Sequence, residues 1–124
     1  MALTREQANW LEELFAVLPG SSVKRMFGGA GIFRDGLMYA VSLDGGRVAL
    51  KADVVNRPAF LVEGQEEWVS PYKGGVKSMG YWYMPERLLD EPDELRIWAQ
   101  AAHDAAVRAD LARPPRPRKL RDEK

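Results

Sequence analysis

Three glycines fall within four positions of this sequence, at Gly28, Gly29 and Gly31, and glycine clusters of this kind can hold a phosphate group. A phosphate loop needs a strand before it and a helix N-terminus after it, because the helix amides and dipole hold the anion. Here Asp35-Gly36 follows between two apolar runs, a pattern typical of a tight β-hairpin turn. The glycines therefore lead into a strand, and we predict a bulge or sharp bend rather than a phosphate loop.

Other residue types that could do chemistry are isolated. The chain has one histidine, His103, beside the apolar stripe of a predicted helix, and we expect it to be a solvated surface residue. There is no cysteine, which excludes disulfides, thiolate metal sites and cysteine nucleophiles. Acidic residues gather between Glu86 and Glu94, where capping a helix start explains them. We predict no catalytic, cofactor-binding or metal-binding residues, and a protein that is not an enzyme.

Helical periodicity predicts three helices around these positions. Thr4 and Gln7 fit a capping box, and Pro19-Gly20 ends the first helix. A second, short helix spans about 56–63, and Asp90 with Pro92 opens the last one. The apolar stripe of the first helix comprises Trp10, Leu11, Leu14, Phe15 and Leu18, and that of the last comprises Leu95, Trp98, Ala102, Ala105, Ala106 and Ala109.

Alternating apolar residues and tight turns predict about five strands. They span roughly 30–34, 37–43, 47–51, 68–73 and 76–84. The expected order is α-β-β-β-α-β-β-α, an α+β class in which helices pack on one antiparallel sheet.

The fifth strand carries aromatic residues on both of its faces. Trp82 and Met84 point one way, towards the expected core, whereas Met79, Tyr81 and Tyr83 point the other way. This second face either packs within the chain or forms a protein interface. We take Met79, Tyr81 and Tyr83 as a candidate interaction surface, and we expect a homodimer and an unknown protein partner.

The alternative function is small-ligand binding, or an unrecognised enzyme. A pocket near the glycine-rich bend would then use Arg25, Phe27 and Lys51, which combine positive charge with an aromatic ring.

Charge divides the chain into two parts. Residues 113–124 carry six basic and two acidic residues, a net charge of +4, together with three prolines. We expect them to form a disordered tail. Residues 1–112 carry 12 basic and 16 acidic residues, a net charge of −4, and we expect them to form one domain. We expect nucleic-acid contact to be at most weak and to use the tail. The absence of a long apolar run predicts no membrane span, and we expect a cytoplasmic protein.

Several motifs in the same order resemble the N-terminal domain of the TfoX/Sxy family. They are M-F-G-G-A-G-I-F-R-D-G-L-M-Y-A at 26–40, L-K-A-D at 50–53, N-R-P-A-F at 56–60, S-M-G-Y-W-Y-M-P at 78–85 and D-E-P-D-E-L-R-I-W-A at 90–99. The resemblance covers about residues 10–110.

The resemblance implies an α+β domain similar to the secretion-chaperone-like class, and often a dimer. It also implies a connection with regulators of natural competence, which are thought to assist the catabolite-activator protein at certain promoters. Full-length members of the family carry a second, helical domain, whereas a short basic tail follows here, so we expect a stand-alone N-terminal-type domain. From these observations we expect a non-enzymatic protein-interaction module. The resemblance implies that it would act as an accessory in transcriptional regulation.

Overall fold

The computed structural model describes residues 4–26, 29–43, 46–72 and 75–113, with the backbone alone for 70–72 and 75–79. Three α-helices, one 3-10 helix and six strands are found within these ranges. In chain order they are α1 (Arg5–Phe15), β1 (Ser21–Met26), β2 (Gly29–Arg34), β3 (Leu37–Ser42), β4 (Val48–Lys51), α2 (Arg57–Val62), β5 (Glu67–Tyr72), β6 (Gly75–Tyr83), the 3-10 helix (Glu86–Asp90) and α3 (Pro92–Ala112).

The six strands form one sheet in the order β1-β2-β3-β4-β6-β5, and every neighbouring pair is antiparallel. The α+β prediction is confirmed, but the sheet has one strand more than the five predicted. The additional strand is β1, a segment of mixed polar and charged residues that carries little apolar alternation. It becomes a strand because it pairs along its whole length with β2, and its own residues do not predict that pairing.

All three helices contribute to a core on one face of the sheet. Leu11, Phe15 and Leu18 enter it from the first helical segment, and Phe60 enters it from α2. The sheet supplies Ile32, Tyr39, Leu50 and Met84, and α3 supplies Leu95, Ala99, Ala102 and Ala106. The alanines of α3 allow its backbone to approach the sheet closely, which is how a 21-residue helix fits across β3 and β4. We call this side the helix-covered face.

Local signals in the sequence had mixed outcomes. The capping box at Thr4 is present, with the Gln7 amide donating to the Thr4 hydroxyl at 3.0 Å. The Asp35-Gly36 turn is confirmed, because both residues have positive φ, 56° and 78°. The prediction that Asp90 caps α3 is wrong. Asp90 ends the 3-10 helix, and Glu91 stands at the cap position of α3 without a side-chain hydrogen bond.

Ion pairs tie the loops around β4 and β6 to the helices. Arg108 of α3 donates two hydrogen bonds to the Asp53 carboxylate, at 2.7 and 2.9 Å, and this lowers the pKa of Asp53 to about 2. Arg87 of the 3-10 helix pairs with Glu63, Glu91 and Glu94. The loop after β4 and the start of α3 are therefore held in place by side chains far apart in the sequence.

Candidate functional site

The glycine-rich segment makes a reversal between two strands. Met26 of β1 pairs with Gly29 of β2, so the chain turns back within this stretch; Gly28 lies outside the described residues. A Cβ on Gly31 would force neighbouring side chains to shift, since it would lie 2.6 Å from the Met38 sulfur and 2.9 Å from the Phe33 ring. A strand follows rather than a helix, so this backbone lacks the helix amides on which phosphate loops depend.

The sheet face opposite the helices, which we call the open face, carries a second, smaller hydrophobic cluster. Val41, Ala49 and Tyr81 are buried there, and Met38, Leu43, Trp68 and Tyr83 pack against them. The register runs Lys24, Gly31, Val41, Ala49 and Tyr83 across five strands, so these residues share the face. A second row joins Lys51, Tyr81 and Trp68.

Tyr81 lies flat across the open face. It is only 6% exposed although it projects from the sheet on the side without the helix core, and its hydroxyl donates to the Met38 carbonyl oxygen at 3.3 Å. Burial raises the pKa of its hydroxyl to about 12. Tyr83 is half-buried beneath Arg47, and the side chain of Met79 lies outside the described part of the chain. Of the candidate interaction surface, therefore, Tyr81 packs within the chain and Tyr83 is partly accessible.

Three cations lie over aromatic rings on the open face. Arg47 stacks 3.5 Å from the centre of the Tyr83 ring, Lys51 lies 5.0 Å from the Tyr81 ring, and Lys24 lies 5.3 Å from the Phe33 ring. Among the described residues, none of the three cations forms an ion pair with a carboxylate. Their charge is therefore not neutralised within the described structure.

The two described members of the predicted pocket do not converge. Arg25 pairs with Ala30, which faces the helices, whereas Lys51 lies on the open face, and Phe27 is outside the described residues. A cavity of about 350 Å³ lies elsewhere, beside β4 and the 3-10 helix. Its lining includes Arg47, Gln65, Met84, Glu86 and Leu89. Sequence reasoning did not anticipate this cavity, because its walls come from four separate segments.

A group of exposed apolar side chains surrounds α2. Val54, Val55, Leu61 and Val62 are exposed by 74%, 62%, 58% and 86%. We call these four residues the α2 patch. They fall within nine residues of sequence, two in the turn before α2 and two at the C-terminal end of α2, which is about 9 Å long. Only Phe60 of α2 is buried, where its ring packs against Trp82 and Trp98, so the rest of this short helix faces outwards.

His103 is buried, at 5% exposure, and the expectation of a solvated surface residue is wrong. Its Nε2 lies 3.0 Å from the Arg34 carbonyl oxygen, and its Nδ1 lies 3.4 Å from the Arg34 guanidinium. A neutral ring that donates from Nε2 and accepts at Nδ1 satisfies both contacts. His103 is four residues after Ala99 and three before Ala106, so all three lie on the same side of the helix. This helical spacing was a signal in the sequence that could have indicated burial.

Beside His103, Tyr39 lies in the helix-covered core and its hydroxyl hydrogen-bonds the Ser21 hydroxyl at 2.7 Å. Burial raises the pKa of Tyr39 to about 12. Tyr39 and Ser21 share a hydrogen bond, whereas His103 contacts the edge or face of the Tyr39 ring rather than its hydroxyl, so the three residues are not arranged as a catalytic set.

Within the described ranges, histidine and carboxylate side chains form no group of three or more that could hold a metal ion. Of the helices that the structure describes, none combines the length and apolar character needed to cross a lipid bilayer.

The architecture defines an α+β domain in which one antiparallel sheet carries all of its α-helices on a single face. The family model of the TfoX N-terminal domain matches residues 13–106, three quarters of the chain. The chain therefore belongs to the TfoX N-terminal domain family. A search of curated proteins gives no match.

Proposed function

We propose that this protein is a non-enzymatic protein-interaction module, acting as an accessory in regulation of the kind associated with TfoX competence regulators. The observation that carries the proposal is the α2 patch, where four large apolar side chains are more than half exposed within nine residues of sequence. Clustered exposed apolar residues are typical of protein interfaces, whereas scattered ones are not. A chain without cysteine suits a reducing compartment, so we place this role in the cytoplasm.

Homodimer formation is part of the proposal, with the α2 patch as its contact surface. The homodimer was first expected through Tyr81 and Tyr83, but Tyr81 already buries its ring within its own chain. A twofold axis through the α2 patch would bring the same apolar residues of two copies together. Such an interface gains roughly 25 cal/mol for each Å² of apolar surface buried, offset by the ordering costs of association.

The test compares Val62→Asp with Leu111→Asp by light scattering at high micromolar concentration. Both residues are strongly exposed, at 86% and 78%, but Leu111 lies at the end of α3 and is not one of the four residues of the patch. We expect twice the 14.0 kDa chain mass for the unmodified protein and for Leu111→Asp, and the chain mass for Val62→Asp. A monomer in all three samples would show that the homodimer proposal is wrong.

The protein partner is tested separately from the homodimer. Tagged protein and the Val62→Asp variant are used to capture proteins from the native cytoplasm, followed by quantitative mass spectrometry. We expect specific partners to be depleted with Val62→Asp and retained with Leu111→Asp. Identical captures with all three baits would contradict a role of the α2 patch in partner binding.

A further inference from the structure

We propose that the open face binds single-stranded nucleic acid. The α2 patch lies on a different part of the molecule, so this site goes beyond the interaction module proposed above. The open face offers two things that such a strand needs: unpaired positive charge for its phosphates, and flat rings for its bases.

The positive charge of the open face is spread over a distance that suits a strand. Arg47, just before β4, and Lys51, its last residue, are four residues apart, about 13 Å, and Lys24 lies three strands away, about 14 Å. Among the described strand residues this face carries no acidic side chain, and the nearest acid by register is Glu66, which precedes β5 and lies opposite Tyr83. A single nucleotide cannot reach all three cations, whereas a short strand can.

The acidic residues of the domain are concentrated on the other side. The net charge of −4 over residues 1–112 had suggested that the domain would repel phosphates. However, many of the acids belong to the helices, at Glu6, Glu12, Glu13, Glu86, Asp90, Asp93, Glu94, Asp104 and Asp110. Salt screens charges beyond about 8–10 Å, so the open face presents its own cations rather than the net charge.

The aromatic residues favour a nucleic-acid strand over an acidic protein as the ligand of the open face. Phe33, Trp68 and Tyr83 are each half-buried, and the Arg47 guanidinium lies stacked on Tyr83 as a second planar surface. Bases stack on aromatic rings and on guanidinium planes, whereas carboxylates do not. Because the bases of a duplex are already stacked in its interior, the same rings favour a single strand.

The experiment is a fluorescence-anisotropy titration of the full chain with a fluorescein-labelled ten-nucleotide oligothymidine in low salt. Lys24→Glu/Lys51→Glu removes two cations of the open face. Arg5→Glu/Arg96→Glu makes the same charge change at exposed positions on α1 and α3. We expect the first double variant to weaken binding about tenfold or more, and to flatten the slope of log K against log salt by about 1.4.

The matched control keeps the contribution of the basic tail constant, because both double variants retain residues 113–124. Equal loss of affinity and equal salt slopes in the two double variants would overturn the proposal and leave the tail as the route of binding. Circular dichroism melting of each variant establishes that the proteins compared are folded.

Stacking is tested at Tyr83. Tyr83→Leu keeps apolar bulk but removes the ring, and should weaken binding about tenfold, whereas Tyr83→Phe keeps the ring and should change it about twofold or less. Equal affinity of the two variants would contradict stacking. Equally tight binding of the duplex form, of a ten-residue polyglutamate, or of thymidine monophosphate would overturn the assignment to a single strand.

Discussion

The two faces of the sheet bury tyrosine residues by different means. Tyr39 is buried beneath helices, beside Phe15 and His103, and its hydroxyl is bonded to Ser21. Tyr81 is buried almost as deeply on the open face, by lying flat over Val41 and Ala49. Burial raises the pKa of both hydroxyl groups to about 12. The comparison shows that neighbouring strand side chains and Lys51 can bury a large ring where, among the described residues, no helix covers it.

The faces differ more in their polar contacts than in burial. On the helix-covered face, Arg34 and His103 find partners within the chain, and Arg108 pairs with Asp53. On the open face, Arg47 and Lys51 have aromatic rings rather than carboxylates beside them. The first face is suited to stability and the second to ligands that bring negative charge. The following variants test how far this division holds.

The largest difference between the faces is expected for the same substitution in two leucines. Leu50→Ala, fully buried beneath the helices, should lower the free energy of unfolding by about 2–5 kcal/mol. Leu43→Ala on the open face should cost about 1 kcal/mol, because its half-buried side chain has no opposing layer and leaves no closed cavity. Urea denaturation of the two variants measures both values. Equal costs would show that the open face is as tightly packed as the core.

Two glycines of β2 differ in what an added methyl group would meet: backbone atoms at Gly29 and side-chain atoms at Gly31. A methyl group on Gly29 would overlap the Ser42 carbonyl oxygen, so Gly29→Ala should cost about 2–3 kcal/mol. A methyl group on Gly31 would instead meet side-chain ends, those of Met38 and Met26 being flexible, and Gly31→Ala should cost about 1 kcal/mol. Thermal melting of the two variants decides this. Gly31→Ala as the more damaging change would indicate that the open face is rigid.

The tyrosines give a difference in pH dependence. Their folded-state pKa of about 12 exceeds the unfolded value of 10, so they contribute stability that is complete below pH 10 and lost as the pH rises towards 12. Tyr39→Phe and Tyr81→Phe should each cost about 1 kcal/mol at pH 8, through the lost hydrogen bond. Each variant should then lose less stability than the unmodified protein between pH 10 and 12. Chemical denaturation across that range tests this, and a profile unchanged by Tyr81→Phe would contradict its burial.

The smallest effect concerns the ion pair between α3 and the loop after β4. The pKa of Asp53 is lowered to about 2, so its contribution is present above pH 4 and is lost as the pH falls towards 2. Arg108→Gln should lower stability by less than about 1 kcal/mol at pH 7, since the pair is partly exposed. The difference should disappear near pH 2. A constant difference in melting temperature from pH 7 to pH 2 would show that Arg108 acts through packing instead.

Local sequence signals predicted local structure well. The turn at Asp35-Gly36 follows from positive φ at two adjacent positions, and the capping box from Thr4 and Gln7 three residues apart. Alternation along β6 correctly separated Trp82, beneath the helices, from Tyr81. These features depend on neighbours within a few residues, so short stretches of sequence were enough to predict them, and the order of the motifs predicted the α+β class and the family.

Which side chains share a surface depends on how distant segments of the chain pack together. β1 is a strand through pairing with β2, and His103 is buried because the Arg34 backbone lies against α3. Lys24 and Lys51 lie on one face only because β1, β2, β3 and β4 pair in a particular register. A one-residue shift in any pairing would reverse the face, and register is set by long-range packing that no short stretch of sequence encodes.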